Sequence, residues 1–223
     1  MRGRHLITAT AALSSVALAL PAAGSACDAG RRERPAKPAG TTPLAVGDSV
    51  MLGAVTPLVA AGFEVDARGC RQMDEGVKLL AARGRAGTLS PVVVVALGTN
   101  WIVSTAHIRR ALRILGPNRV LGLVTPRELN GATTADQVRI RAAGRRWRRR
   151  VRVLDWVRYS AGRDTWFAGD GLHLGPAGRR GFTRLLRRAL AWPVPSLTAT
   201  WTPEPRAQAA EQLSPDSALP AGR

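Results

Sequence analysis

The chain has 223 residues, 45% of them hydrophobic, and a formal net charge of +18. This length allows one well-cored domain with tails and disfavours a second full domain. With only two cysteines, Cys27 and Cys70, the multi-disulfide framework of a small secreted scaffold is excluded. A bridge between them stays open. The other interpretation of Cys70 is a small, partly buried residue near the site, and no paired base favours a catalytic role.

The positive charge does not by itself indicate a nucleic-acid partner. The run of arginines at 145–150, with Trp147 inside it, has the composition of a basic patch. Lysine is nearly absent, however, and the arginines are spread along predicted helical faces. Together with a secretory segment, this predicts no nucleic-acid partner and favours attraction to anionic cell-wall polymers or membrane surfaces.

The first 26 residues have the pattern of a signal peptide: a basic start, an apolar stretch and small residues before Cys27. Cleavage after Ala26 would make Cys27 the first mature residue. Such a cysteine is also typical of a lipoprotein, although Gly24 stands where a lipobox usually carries Leu. Polar residues and Pro21 within the apolar stretch disfavour an uncleaved membrane anchor. The expected location is therefore secreted or cell-surface, with a lipid anchor at Cys27 as an alternative.

The rest of the chain divides into three parts. Residues 27–41 lack apolar periodicity and predict a flexible linker. Residues 42–193 predict the folded domain. Residues 194–223 mix five prolines with Ser, Ala, Glu and Gln and predict a disordered tail.

Within the domain, apolar runs alternate with amphipathic ones. The predicted strands are Leu44–Val46, Phe63–Val65, Val92–Leu97, Val120–Thr125 and Val151–Leu154. The predicted helices are Val50–Ala61, Met73–Arg83, Thr105–Leu115, Ala135–Arg149 and Pro176–Trp192. This alternation predicts an α/β fold, a three-layer α/β/α sandwich around a parallel sheet of about five strands, flavodoxin-like in outline.

Two short polar segments follow predicted strands and should meet at the carboxyl edge of the sheet. Ser49, in Gly47-Asp48-Ser49, lies between the first strand and the first helix, near the positive end of the helix dipole. Asn100 follows the Val-rich third strand, and its amide could donate to an oxyanion. The alternative is structural: Gly47-Asp48-Ser49 alone is typical of a strand-to-helix turn, and Asn100 could close its strand in an Asx turn.

A third segment supplies a base. Asp170 and His173 stand three residues apart in a loop before the last predicted helix, so the carboxylate can reach Nδ1 and leave Nε2 to take a serine proton. His107 lies in a predicted helix beside arginines, which favours a solvated surface role. Ser49, His173 and Asp170 are therefore the candidate catalytic residues, with no metal site and no cofactor required.

In this order the segments resemble the SGNH (GDSL-like) hydrolases: Ser49 in the first block, Gly98 and Asn100 in the third, Asp170 and His173 in the last. A narrower resemblance is to the extracellular SGNH domain attached to membrane acyltransferases, which O-acetylate cell-wall glycans. It is carried by Val65-Asp66-Ala67, Arg71-Gln72, Thr125-Pro126-Arg127, Val153-Leu154-Asp155-Trp156 and Trp166.

The resemblance implies the SGNH hydrolase fold and acyl transfer through a serine ester. The backbone N–H of Ser49 and the Asn100 amide would hold the oxyanion. A second-block glycine has no clean counterpart, with Gly69 as the nearest candidate. Arg71, Gln72 and Trp101 are candidates for substrate contact, and Trp156 and Trp166 could join Trp101 in a wall or pack in the core.

Three functions follow as hypotheses. The leading one is a secreted, monomeric esterase acting on small acyl esters, in particular O-acetyl groups on cell-wall glycans. The second is an O-acyltransferase that uses the same covalent intermediate and receives its acyl group from a membrane partner. The third is a non-catalytic module that keeps the fold and binds the wall through its basic surface.

Overall fold

The computed structural model describes residues 27–128 and 134–194. The predicted signal peptide and all of the predicted tail except Val194 lie outside these residues. Six strands form one sheet: β1 Gly30–Glu33, β2 Leu44–Gly47, β3 Glu64–Arg68, β4 Val92–Ala96, β5 Val120–Val124 and β6 Val151–Leu154. The helices are α1 Ser49–Leu52, α2 Val55–Ala60, α3 Met73–Arg85, α4 Thr105–Leu115, α5 Ala135–Arg146, α6 Trp156–Tyr159 and α7 Pro176–Leu186, with 3₁₀ turns at Asp164–Trp166 and Arg187–Ala191.

The sheet has the order β1-β3-β2-β4-β5-β6, and every pairing except the antiparallel β1–β3 is parallel. Alternate residues of β2 enter different cores: Ala45 packs with α1, α2 and α7, whereas Leu44 and Val46 pack with α3, α4 and α5. Each face of the sheet is thus covered by helices, and the predicted three-layer sandwich is confirmed.

The predicted helix at 50–61 is wrong, because the chain forms two short helices there. Pro57 has no N–H to donate to the carbonyl four residues earlier, and its ring would clash with that carbonyl in a continuous helix. The chain instead ends α1 at Leu52 and starts α2 at Val55, which places Pro57 in a first turn. The helix predicted over 176–192 likewise changes to a 3₁₀ turn after Leu186.

The structure also corrects the predicted linker at 27–41. Within it, β1 pairs with β3 along the sheet edge, and Arg32 Nε lies 2.9 Å from the Asp66 carboxylate. A disulfide joins Cys27 to Cys70, 43 positions apart. Cys70 is exposed rather than partly buried. Because the Cys27 sulfur is bonded to Cys70, it has no valence for a thioether-linked lipid, so the structure argues against the lipoprotein alternative.

The strand order creates a crevice at the carboxyl ends of β2 and β4. From β2 the chain first builds β3 on one side and then crosses to build β4 on the other. Open α/β sheets bind ligands where the winding reverses in this way. Gly47 and Ala96, paired in register at these strand ends, lead directly to Ser49 and Asn100. Nowhere in residues 27–128 and 134–194 does a helix have both the length and the apolar character of a membrane span.

Candidate active site

Gly47 and Asp48 set the position of Ser49 at the end of β2. A Cβ on Gly47 would lie 2.4 Å from the Met51 Cβ, so only glycine fits beneath the turn. Asp48 caps α1, and its Oδ1 accepts from the Val50 N–H at 3.1 Å. Ser49 is left half-buried at the surface with its hydroxyl available.

Ser49, His173 and Asp170 form a hydrogen-bonded relay. His173 Nε2 lies 3.0 Å from Ser49 Oγ, and His173 Nδ1 lies 2.6 Å from Asp170 Oδ2. The other Asp170 oxygen accepts from the backbone N–H groups of Leu172 and His173, each at 2.9 Å. The side-chain bond to His173, with these backbone N–H groups, lowers the pKa of Asp170 to about 2. The carboxylate therefore stays ionised and favours a proton on Nδ1, which leaves Nε2 as the acceptor for the serine proton.

The loop that carries Asp170 and His173 is held at several points. Ala168 N–H donates to the His173 carbonyl at 2.7 Å, and a bridge joins Phe167 to Leu174. Arg127 Nε donates to the Gly171 carbonyl at 3.0 Å. The Arg127 guanidinium also stacks 4.0 Å from the centre of the Phe167 ring.

Arg127 was not predicted as a site residue, although it is in the segment that carried the narrower resemblance. Its signal was its place: it follows β5 by three residues, at the same sheet edge as Ser49 and Asn100.

Arg71 links Asn100 to the turn that carries Ser49. The Asn100 amide nitrogen lies 3.5 Å from the Arg71 carbonyl. The Arg71 guanidinium in turn donates to the Gly47 carbonyl at 3.2 Å, two residues before Ser49. Gly98, with φ +130°, makes the turn out of β4, where a Cβ would press against Pro126 and Val103 at 2.9 Å. An amide group has two N–H donors, so Asn100 can bond Arg71 and still present one to an oxyanion.

Arg71 and Gly69 have other tasks than those expected. Arg71 is 5% exposed, and its guanidinium also bonds the Asp66 carbonyl and Oδ1, both at 2.6 Å. It braces the ends of β2 and β3 from inside rather than reaching substrate. The Gly69 N–H donates to the Ala29 carbonyl at 2.8 Å, so Gly69 as an oxyanion donor is wrong: the N-terminal segment has taken its N–H.

The remaining candidates divide by exposure. Gln72 is half-buried, and its backbone N–H donates to Glu75 Oε2 at 2.9 Å at the start of α3. Trp101 is 63% exposed beside Asn100. Trp156 is 2% exposed and belongs to the core, and it stacks 5.8 Å from the half-buried Trp166, which packs against that core over α7. Trp101 is the most exposed of the three.

His107 has a local structural contact instead of a purely solvated position. Its Nδ1 accepts from the Ser104 N–H at 3.3 Å, and Ser104 Oγ accepts from the His107 N–H at 3.1 Å. This reciprocal pair caps the start of α4. His107 is thus occupied away from the relay.

Because Asp48 is buried, its pKa is shifted in the opposite direction to that of Asp170. Loss of solvent raises the pKa of Asp48 to about 6, opposed by hydrogen bonds from Val50 and Thr99. A cavity of about 20 Å³ adjoins Asp48 below the serine loop, room for about one water molecule. No cluster of three or more His, Cys, Asp or Glu suited to a metal occurs in the described part of the chain.

Comparison with known proteins finds chains that are similar in sequence. The chain is 28% identical over 155 residues to the O-acetyltransferase OatA of Staphylococcus aureus (strain NCTC 8325 / PS 47), an alignment covering 67% of this chain and 25% of that protein. The chain thus spans about a quarter of the length of the curated relatives it matches. No model of a protein family matches it.

Two solved structures share the fold. The C-terminal catalytic domain of a Streptococcus pneumoniae peptidoglycan O-acetyltransferase (OatA), described with a methylsulfonyl adduct, superposes with a TM-score of 0.56 and 22% identity, over 71% of this chain and 99% of that domain. A Clostridium thermocellum family 3 carbohydrate esterase superposes with a TM-score of 0.53 and 15% identity, over 68% and 100%. The chain therefore has the fold of the SGNH (GDSL-like) hydrolases and is related in sequence to the O-acetyltransferase OatA.

Proposed function

We propose that this protein is a serine esterase of the SGNH type that acts outside the cell on small acyl esters, in particular O-acetyl groups of cell-wall glycans. The observation that carries the proposal is the relay from Ser49 Oγ through His173 to Asp170, at 3.0 and 2.6 Å. Both distances are within hydrogen-bond reach.

In the acylation step Ser49 Oγ attacks the ester carbonyl carbon while His173 Nε2 takes the hydroxyl proton. The carbonyl oxygen becomes the oxyanion of a tetrahedral intermediate, which the Ser49 backbone N–H and the Asn100 amide stabilise. Collapse of the intermediate breaks the bond to the sugar oxygen, and His173 returns its proton to that oxygen. The sugar leaves as an alcohol, and the acyl group remains on Ser49.

In the second step water replaces the sugar. His173 takes a proton from water, the hydroxide attacks the acyl-serine carbonyl, and the returned proton restores the Ser49 hydroxyl as the carboxylic acid departs. Asp170 stabilises the imidazolium in both steps and keeps the ring in one orientation.

Exposure of the site supports a large substrate and hydrolysis. The side chains of His173 and Asp170 are 44% and 43% exposed, so a polymeric glycan can approach them without entering a closed pocket. Trp101, beside the oxyanion donor Asn100, offers a flat apolar face of the kind on which sugar rings stack. Water also reaches such a site freely, and closure is what ordinarily protects a reactive intermediate from water.

Transfer to a glycan is the second candidate, favoured by the sequence relationship to an O-acetyltransferase. The first half of the mechanism is unchanged. In the second half a sugar hydroxyl takes the place of water, and the acyl group would come from a membrane partner. Good positioning of the acceptor would then have to outcompete water.

The test is turnover of p-nitrophenyl acetate by the chain from residue 27 onward, compared with Ser49→Ala. Thr105→Ala, which removes an exposed hydroxyl at the start of α4, serves as the matched control. We expect p-nitrophenol release in the parent and the control and loss of catalysis in Ser49→Ala. Methanesulfonyl fluoride should modify the parent on the peptide that contains Ser49, as mass spectrometry would reveal.

Adding a glycan oligomer separates the two candidates. Acetate as the sole acetyl-containing product supports the esterase, and an acetylated oligomer supports the transferase. Equal turnover by the parent and Ser49→Ala, with no adduct on Ser49, would contradict both and leave the non-catalytic wall-binding module.

A further inference from the structure

A basic groove lies between α5 and the edge strand β6, away from the relay. It is open, with a volume of about 670 Å³. Gly144 lets the helix approach the strand, because a Cβ there would lie 2.5 Å from Val153 Cγ2. Four arginines line the groove: Arg141, Arg145, Arg148 and Arg152.

Three of these arginines keep their charge uncompensated. Arg141 is paired with Asp155, Nε to Oδ2 at 2.8 Å. Within the described residues, Arg145, Arg148 and Arg152 have no carboxylate within salt-bridge distance. Like charges gathered around one concave surface raise the local concentration of anions. The groove therefore has a built-in attraction for negative ligands that its own side chains do not neutralise.

The arrangement of the charges fits a linear ligand. Arg141 and Arg145 are four residues apart on α5 and so share a helix face, and Arg148 follows in the turn after the helix. Arg152 is also among the lining residues, from β6, although strand alternation puts its side chain on the sheet face opposite that of Val151 and Val153. Guanidinium groups present planar paired donors that match the oxygens of phosphate groups. We propose that this groove binds a linear, phosphate-bearing polyanion without bases, such as an anionic polymer of the cell wall.

Trp147 argues against single-stranded nucleic acid as the ligand. Sequence-tolerant binding of single strands uses exposed aromatic rings on which bases stack. Trp147 instead packs against the core formed with α3, α4 and α5, and the Arg146 guanidinium lies 5.4 Å from its ring centre. None of the residues that line the groove is aromatic. The groove thus offers charge without a stacking surface.

The position of the groove separates binding from catalysis. Along the sheet, β6 is three strands from β2, roughly 14 Å at the usual spacing between strands. A polymer in the groove therefore leaves Ser49 free. Binding there would hold the enzyme on the wall while the relay acts on neighbouring esters.

The test is binding of long-chain inorganic polyphosphate to the full chain, followed by fluorescence anisotropy at several salt concentrations. The groove variant carries Arg145→Gln, Arg148→Gln and Arg152→Gln. The matched control carries Arg109→Gln, Arg110→Gln and Arg113→Gln, three exposed positions of α4 that remove the same charge. We expect the groove variant to bind roughly tenfold more weakly, or weaker still. The slope of its log affinity against log salt concentration should be smaller in magnitude by about 3. The control should stay within about twofold of the parent.

Equal weakening in both triple variants would overturn the proposal, because the charge would then act diffusely. Tighter binding of polyuridylate than of polyphosphate would overturn the choice of ligand. If the groove variant has a lower melting temperature than the parent, the single variant Arg148→Gln, at an exposed position, is compared with the parent instead. Turnover of p-nitrophenyl acetate should be unchanged in all variants, and since the binding assay uses no ester, failure of the proposed function would not affect its outcome.

Discussion

Ser49 and His173 are 124 positions apart in sequence, and each is positioned by contacts with its own sequence neighbours. Gly47 and Asp48 place the serine, and two backbone N–H groups hold Asp170 behind the histidine ring. Preorganisation of this kind means that little rearrangement is needed when substrate binds.

Asp170→Asn tests the role of the carboxylate in choosing the histidine tautomer. The amide oxygen would accept from Leu172 and His173 N–H in place of Oδ1 and turn its NH₂ toward Nδ1. His173 would then carry its proton on Nε2 and could not accept from Ser49. We expect kcat for p-nitrophenyl acetate to fall between about 10² and 10⁴-fold, with the melting temperature nearly unchanged. A fall of less than about twofold would contradict the assigned role.

Asp48→Asn tests the cost of burying a carboxylate under the serine loop. Burial raises the pKa of Asp48 to about 6, above the value of 3.8 for an unperturbed carboxyl. A raised folded-state pKa favours the folded state at low pH and loses that contribution as pH rises from about 4 through 6. Asparagine keeps the cap without the charge. The variant should therefore gain stability over the parent as pH rises, on the order of 2–3 kcal/mol above pH 7.

Urea unfolding of parent and variant at pH 4 and at pH 8 measures this difference. A stability difference that is the same at both pH values would show that Asp48 does not titrate in this window.

At the scale of elements, Arg127 joins the loop after β5 to the loop that carries Asp170 and His173. Arg127→Gln removes the hydrogen bond to Gly171 and the stacking on Phe167. Because Gly171 lies between Asp170 and His173, we expect the histidine to shift and kcat to fall by up to about 10²-fold. KM for p-nitrophenyl acetate should change little. Arg127→Lys, which keeps the cation over Phe167, should recover part of kcat, whereas a purely structural role would move the melting temperature in step with activity.

The Cys27–Cys70 disulfide ties β1 to the loop after β3. Closing a loop of this length stabilises a fold by about 4 kcal/mol in the chain-entropy treatment. The double variant Cys27→Ser, Cys70→Ser should lose stability of that order in guanidinium unfolding, and the Gly69 amide should exchange faster with solvent. The parent measured with a reductant is the control. Equal stability of parent and double variant would mean that β1 pairs without the bond.

These elements explain what the sequence could and could not reveal. The runs of valine and leucine in β4 and β5 predict central strands, and the predicted bounds differ from the observed ones by one residue at most. In contrast, β1 has the sequence Gly-Arg-Arg-Glu, with no apolar residue to signal a strand, because its pairing rests on backbone bonds and the disulfide. The sequence identified the relay through its order of segments. It missed Arg127 as a site residue and mistook Arg71 for a substrate contact, since their partners are distant in sequence.

For the whole molecule, charge and surface predict a monomer. The net charge of +18 makes copies repel one another at low salt. The large exposed apolar residues of the described chain fall at Trp101, Ile102, Val138, Leu190 and Val194, and only the first two are adjacent in sequence. We expect the mass measured by light scattering after gel filtration to match one chain. A dimer at low ionic strength would contradict this.

The two edges of the sheet have a consequence for aggregation. An unpaired strand edge is a template on which another chain can extend the sheet, and short, charged edge strands oppose such growth. Here β1 and β6 are each four residues long, with Arg31 and Arg32 in one and Arg152 in the other. Each arginine would have to be brought against its own copy before two sheets could join edge to edge. The arginines of β1 and β6 therefore oppose fibre-like assembly of this protein at high local concentration.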